Sequence, residues 1–251
     1  MKPRTLAARN AAMRLTCAAL LLAVCLPATA ADVVSEARTI GAFKTVRLVG
    51  SADLVLTQAD TPALTVEGEK DQLPNLKAEV RGDELVLRYD APRGHGMGFF
   101  WHQSKKGPRF LLSASTLERL ATDGNGDVVA ESWTAPGDFE ISVSGSSDVR
   151  FTTLAARKLV VRISGSGDVS LGGGVLEQNV RIAGSGDYHA KLLQSATAAV
   201  SIRGSGDATV WARDSLSINV AGSGDVQYYG RPSVSKSVAG SGSVKALGDK
   251  P

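Results

Sequence analysis

One five-residue phrase, repeated at a nearly constant interval, constrains this chain more than any other feature. Copies of Ser-Gly-Ser-Gly-Asp, exact or with one or two changes, end at Asp127, Asp148, Asp168, Asp187, Asp207, Asp225 and Ser243. Successive ends lie 18 to 21 residues apart. A short fixed period predicts stacked copies of one supersecondary unit, because each unit buries its apolar face only against its neighbours.

The residues around each phrase alternate in polarity with a period of two. In the copies that end at Asp148 to Asp225, the positions seven and five before the Asp are apolar, and the position between them is polar. The residue after each Asp is again apolar, and the next one is polar or charged. This alternation predicts a strand, a tight corner and a second strand in every coil, with one face buried. Ile163, Ile182 and Ile202 are therefore expected to lie next to one another.

The phrase itself has the composition of a sharp corner. Glycine reaches a positive φ without a Cβ clash, and Ser and Asp side chains accept hydrogen bonds from nearby N–H groups that a bend leaves unpaired. We therefore assign a structural turn role to Gly145, Gly165, Asp168, Gly184, Asp187, Gly204, Asp207, Gly222, Asp225 and Gly240. In the last copy Lys236 takes an apolar position and Ser243 replaces the Asp, which is typical of a terminal coil.

The repeated corners, together with the segment FKTVRLVGSADLVLTQADTPALTVEG at 43–68, resemble the head GIN domain family, whose members are described as auto-transporter adhesins. The resemblance extends from about Phe43 to Val244. It implies an all-β fold, a right-handed parallel β-helix (β-solenoid) with coils of about 18–21 residues. It also implies a shape similar to pectin lyases without a shared catalytic set.

The first thirty residues have the pattern of a secretory signal peptide. Four basic residues precede an apolar run, Leu15 to Leu26, which is followed by Ala28-Thr29-Ala30. Residues 31–251 are expected to form a single solenoid. Within it we expect less regular coils at 40–112 with a loop at 91–108, regular repeats at 113–246 and a tail at 247–251.

The leader accounts for both the basic charge and the cysteines. The formal charge of +3 falls to −1 when its four basic residues are removed, which argues against a nucleic-acid partner. Cys17 and Cys25 both lie in the leader, so the mature chain has no thiol. Bulky Val24 disfavours lipidation at Cys25. We expect a mature chain without a membrane span, exported to the periplasm, the medium or the cell surface.

The segment 91–108 interrupts the repeat with four glycines, three aromatic residues and two lysines, and it contains no acidic residue. One interpretation packs the aromatic residues over an open end of the core, as large aromatic side chains usually are packed. The other exposes them at a tip that touches a partner. The candidate binding residues are Phe99, Phe100, Trp101, Lys105 and Lys106.

Charged residues recur in columns along the repeat, as some metal-binding and catalytic residues do in other solenoids. An Asp column with carboxylates about 4.8 Å apart is a conceivable calcium ladder, but the spacing differs from that of calcium-binding solenoid repeats. Solvated Asp residues that bond to the turn are the preferred interpretation, with no metal and no cofactor. Arg162 and Arg181 stack by repetition alone, and His189 on an outward face is typical of a solvated side chain. No catalytic residue is assigned.

The sequence thus favours an exported, non-catalytic β-solenoid that presents a binding surface for adhesion or contact with the cell envelope. Its partner would be an envelope or extracellular ligand, either a glycan or a protein. Two alternatives remain: a carbohydrate-active β-helix enzyme, which would need charged groups on adjacent coils, and a purely structural envelope protein.

Overall fold

A computed structural model describes residues 33–90 and 107–250, which form a parallel β-solenoid without an α-helix among them. The fold class predicted from the repeat is confirmed. One 3-10 turn, Leu73–Asn75, interrupts the strands. The strands are β1 (Val33–Arg38), β2 (Thr45–Gly50), β3 (Asp53–Gln58), β4 (Ala63–Glu69), β5 (Leu76–Arg81), β6 (Glu84–Tyr89), β7 (Arg109–Ala114), β8 (Arg119–Gly124), β9 (Val128–Thr134), β10 (Asp138–Gly145), β11 (Val149–Gly165), β12 (Val169–Gly184), β13 (Tyr188–Gly204), β14 (Ala208–Gly222), β15 (Val226–Tyr229), β16 (Ser233–Gly240) and β17 (Val244–Gly248).

The regular coils stack in parallel register from β10 to β17. Ile163 lies opposite Ile182, and Ile182 lies opposite Ile202, as the apolar columns predicted. Strands β11 to β14 are 15 to 17 residues long, because each runs from one corner to the next without a break. Register shifts such as the one between Phe151 and Leu154 let such a strand bend around the core.

The first coils are stacked in an order that differs from their order in the chain. Strands β2 and β3 pair in parallel with β8 and β9 on one side, and with β6 and β7 on the other. The β6–β7 coil therefore lies outside the β2–β3 coil, although it follows it in sequence. Strands β1, β4 and β5 add antiparallel pairs at this end of the stack. Strand alternation alone does not reveal this crossover.

The core is a continuous stack of aliphatic side chains. Val143, Ile163, Ile182, Ile202 and Val220 form one inward column, in which no side chain is more than 1% exposed. Trp133, Phe139 and Phe151 pack together at the start of the regular coils. The ring centroids of Trp133 and Phe139 are 6.5 Å apart, and those of Phe139 and Phe151 are 5.8 Å apart. Each coil covers the apolar residues of the coil before it, so burial of a side chain depends on both neighbours.

One polar cluster lies inside the solenoid. The Tyr188 hydroxyl donates to Gln178 Oε1 at 3.1 Å, and Gln178 Nε2 donates to Ser195 Oγ at 2.7 Å. Ser195 Oγ in turn donates to the carbonyl oxygen of Trp211 at 3.0 Å. Burial raises the pKa of Tyr188 far above its ordinary value, since the phenolate would lose its hydration.

The last coil is much less buried than the coils before it. All residues of β16 are exposed, including Val234 and Val238, which occupy inward positions. Lys236 lies opposite the buried Ile218 of β14. Among the described strands, β16 has a pairing register only with β14, so its outer edge has no neighbouring strand.

Candidate binding face

The two glycines of the phrase have different structural roles, although Ser147 takes the second glycine's place in the corner that ends at Asp148. The first glycine of the phrase has a φ between +107° and +143° in all six copies from Gly145 to Gly240, a region that favours glycine. The second glycine leaves no room for a side chain, since a Cβ at Gly206 would lie 2.1 Å from the carbonyl oxygen of Gly186. Successive corners therefore pack backbone against backbone.

A column of carboxylates follows these corners along the whole stack. We name it the Asp ladder, and in each rung Oδ1 accepts a hydrogen bond from the backbone N–H of the next rung, at 2.7 to 3.1 Å. At the last rung the Ser243 hydroxyl also donates to Asp225 Oδ1, at 2.9 Å. The rungs are Asp53, Asp127, Asp148, Asp168, Asp187, Asp207, Asp225 and Ser243.

The ladder completes the backbone pairing at the corner. The carbonyl oxygen of Asp168 accepts the N–H of Val149 in the previous coil, at 2.8 Å. The N–H of Asp168 instead donates to the Asp148 carboxylate, at 3.0 Å. The sequence suggested side-chain hydrogen bonds near the bend, and the structure places these bonds between successive coils. Each Asp therefore ties its own coil to the next.

A shallow groove of about 260 Å³ runs beside the part of the ladder from Asp127 to Asp168. It lies between the carboxylates and the outward column of residues two positions after each Asp. Its polar lining carries both signs of charge, from three ladder carboxylates and one guanidinium. The lining residues are Asp127, Val128, Val129, Asp148, Val149, Arg150, Asp168, Ser170 and His189.

His189 brings a third kind of group to the ladder. One imidazole nitrogen and one carboxylate oxygen each from Asp168 and Asp187 lie within 4.8 Å of one another. Both carboxylates are half-buried and the imidazole is exposed. The sequence predicted an Asp column and a solvated His189 as separate features. The signal for their convergence is that His189 stands two residues after Asp187 in a strand whose register follows the repeat.

The candidate binding residues Phe99, Phe100, Trp101, Lys105 and Lys106 lie outside the described residues. The described ends of their segment, however, lie at the first rung of the ladder. Strands β6 and β7 pair with β2 and β3, on either side of the corner that precedes Asp53. The N–H of Asp53 donates to the carbonyl oxygen of Pro108 at 3.1 Å, in the place where later rungs meet a carboxylate.

The arginine pair considered for catalysis lies on a neighbouring face. Arg162 and Arg181 are in register on β11 and β12. Arg162 forms an ion pair with Glu140, to which Arg119 also lies close, at 3.5 Å. Because Glu140 lies between two guanidinium groups, Arg162 has an ion-pair partner and the cluster has a net positive charge. No helix among the described residues is long and apolar enough to cross a bilayer.

Comparison with protein families identifies one match. The family model described as "Putative auto-transporter adhesin, head GIN domain" matches residues 42–232. These residues include strands β2 to β15 and leave out β1, β16 and β17. A search of curated proteins found no match.

Several solved structures have the same fold. A crystal structure titled "putative adhesin" from Bacteroides fragilis is 23% identical, with a TM-score of 0.75, and the match covers 86% of this chain and 97% of that chain. A second, from Parabacteroides distasonis, is 22% identical with a TM-score of 0.67 and the same coverage. A third, titled "Putative lipid binding protein" and also from Parabacteroides distasonis, is 24% identical with a TM-score of 0.61 and the same coverage. At these identities the likeness shows the fold alone.

Proposed function

This chain belongs to the head GIN domain family, and we propose that it is an exported, non-catalytic β-solenoid that binds a partner at the cell envelope. The N-terminal residues with the pattern of a signal peptide support export. The adhesin descriptions of the family and of its structural relatives support a binding role over catalysis.

The observation that carries the proposal is the position of the described residues on either side of the segment 91–106. In the regular coils, the chain crosses the Asp ladder with a five-residue corner. In the β6–β7 coil, strand β6 ends and strand β7 begins at the same point, and the residues between Tyr89 and Pro108 connect them in sequence. A long insertion of aromatic and basic residues at one end of a rigid scaffold is a typical arrangement for a binding loop.

The solenoid supplies rigidity to such a loop. Strands β6 and β7 carry its two described ends, and each lies between one parallel and one antiparallel neighbour. Both strands contribute buried leucines to the core. A rigid support lowers the entropy that the loop loses when it binds. Aromatic side chains would supply apolar contact area and the lysines would attract an anionic partner.

The test measures retention of the purified chain on envelope extract. We expect Phe99→Ala, Phe100→Ala and Trp101→Ala together to reduce retention by about tenfold or more, since interface aromatic residues often contribute 2 kcal/mol or more each. Leu176→Ala is the matched control, because Leu176 is an apolar side chain 61% exposed on another part of the coil. Circular dichroism must show that all variants are folded.

Three outcomes would overturn the proposal. Retention that is unchanged in the triple variant would remove the binding role of the loop. Cleavage of envelope polysaccharide by the purified chain, abolished by Arg162→Ala or Arg181→Ala, would establish the enzyme alternative. A chain that shows neither retention nor cleavage would favour a structural role.

A further inference from the structure

We propose that Asp168, Asp187 and His189 form a binding site for a divalent first-row transition metal ion, of the class represented by Zn²⁺. Two carboxylate oxygens and one imidazole nitrogen lie within 4.8 Å of one another. Carboxylate and imidazole are both common ligands of zinc and of its neighbours in the first transition row. The site is independent of the segment 91–106.

The Asp ladder orients the two carboxylates before any ion arrives. Asp168 Oδ1 accepts the N–H of Asp187 at 2.8 Å, and Asp187 Oδ1 accepts the N–H of Asp207 at 2.7 Å. Among the hydrogen bonds and ion pairs of the described residues, neither Oδ2 atom has a partner. Hydrogen bonds to ligating carboxylates fix their orientation, which raises metal affinity. One oxygen of each Asp is thus held by the fold, and the other remains for an ion.

The imidazole distinguishes this rung from the others. The Asp column arises from repetition alone, and so carries little information about a ligand. The position two residues after the Asp varies, and in the described coils only one member of this outward column is a histidine. The column comprises Val129, Arg150, Ser170, His189, Thr209, Gln227 and Lys245.

Only a small movement is needed to close the site. Zinc–oxygen and zinc–nitrogen bonds are about 2.0–2.2 Å long, so two ligand atoms on one ion lie roughly 3–4 Å apart. His189 is exposed and both carboxylates are half-buried, so closure requires the three ligand atoms to approach one another by about 1 Å. Three protein ligands leave at least one coordination position for water or for a ligand from a partner.

Isothermal titration of the untagged chain with Zn²⁺ tests the site. We expect His189→Asn and Asp187→Asn each to weaken this binding event at least tenfold, because losing a direct ligand should cost no less than the roughly 10–100-fold typical of an outer-shell partner. Asp187→Asn keeps an oxygen that can accept the N–H of Asp207. Asp207→Asn is the matched control, since it alters the same ladder one coil away and should leave affinity unchanged.

Two further variants separate this site from other histidines and from nonspecific binding. The double variant His95→Asn/His102→Asn should keep the event that His189→Asn removes. Adding Gln227→His to the His189→Asn variant places an imidazole beside Asp207 and Asp225, and should restore binding.

The proposal is overturned if the chain binds no Zn²⁺, or if His189→Asn binds it as tightly as the unaltered chain. Failure of Gln227→His to restore binding would contradict the claim that the ladder orients its carboxylates for an ion. A second measurement follows the imidazole resonance of His189 by NMR, which should shift on addition of Zn²⁺. An unchanged resonance at saturating Zn²⁺ would also reject His189 as a ligand.

Discussion

At the scale of single residues, the corner Asp and the glycines before it together let successive corners pack closely with their backbone N–H groups paired. The glycines let successive corners approach until backbone touches backbone, as at Gly186 and Gly206. In that packing the N–H of the Asp meets a carboxylate of the previous coil. A side-chain acceptor therefore takes the place of a backbone carbonyl at the position where the repeat carries Asp.

Removal of one rung should lower stability by a small and specific amount. Asp207→Ala removes the acceptor for the N–H of Asp225, which Oδ1 binds at 2.7 Å. We expect the free energy of unfolding to fall by about 0.5–1.5 kcal/mol, the typical contribution of one hydrogen bond, because the exposed corner lets water replace part of it. Denaturant unfolding followed by circular dichroism measures the change.

Asp207→Asn is the control for this prediction, since its amide oxygen can still accept the same N–H. It should lose less stability than Asp207→Ala. Equal losses in the two variants would show that the charge, and not the hydrogen bond, is the contribution of the rung.

At the scale of elements, each long strand both packs into the core and bends around it between one corner and the next. Its ends alternate strictly and pack into the aliphatic columns, whereas its middle bends through register shifts. Strands β12 and β13 contain Gln178, Tyr188 and Ser195, whose polar atoms bond to one another inside the solenoid. A buried polar cluster is stable only when its donors and acceptors are paired.

The cluster should give the chain a dependence on alkaline pH. Tyr188 ionises near pH 10 when unfolded, but burial holds its pKa far above that value in the fold. Above pH 10 the unfolded state therefore releases a proton that the folded state keeps. Stability from this residue is complete below pH 10, and falls by about 1.4 kcal/mol per pH unit above it.

Tyr188→Phe isolates this contribution. At pH 8 the variant should be less stable than the unaltered chain by about 1–3 kcal/mol, because Gln178 Oε1 loses a buried donor. The difference should shrink between pH 10 and pH 11, since the variant has no phenol to ionise at this position. A difference that stays constant from pH 8 to pH 11 would contradict the prediction.

At the scale of the whole molecule, the two ends of the described stack differ. The β6–β7 coil lies outermost at one end, where antiparallel strands β1, β4 and β5 add to the stack. The other end finishes with β16, all of whose residues are exposed, and with β17, in which the inward Val244 is half-buried. Lys236 interrupts the apolar column there, and a charge at an open edge discourages the addition of another strand.

Lys236→Ile should therefore promote self-association. The substitution joins Val234 and Val238, 36% and 39% exposed, into one apolar patch beside an unpaired strand edge. We expect the average mass measured by light scattering to rise with protein concentration. Lys245→Ile is the control, because it adds the same side chain at an outward position of the last coil. Equal association of both variants would assign the effect to added hydrophobicity alone.

The periodic part of this protein was determined by its sequence. A period of about twenty, alternation around it and glycines at one point in each repeat together predicted the parallel stack and the contacts among Ile163, Ile182 and Ile202. Such features are readable because each coil meets only its neighbours, so that local pattern and tertiary contact coincide. The prediction weakened before residue 113, where the repeat is degenerate.

Tertiary structure alone decided the remaining features. It placed the β6–β7 coil outside β2–β3, tied each Asp to the following coil, and brought His189 to Asp168 and Asp187. These are contacts between residues of different coils, and their identity depends on stacking order and register. A pattern within one coil specifies which face of a strand is buried, but not which atoms of the next coil it meets.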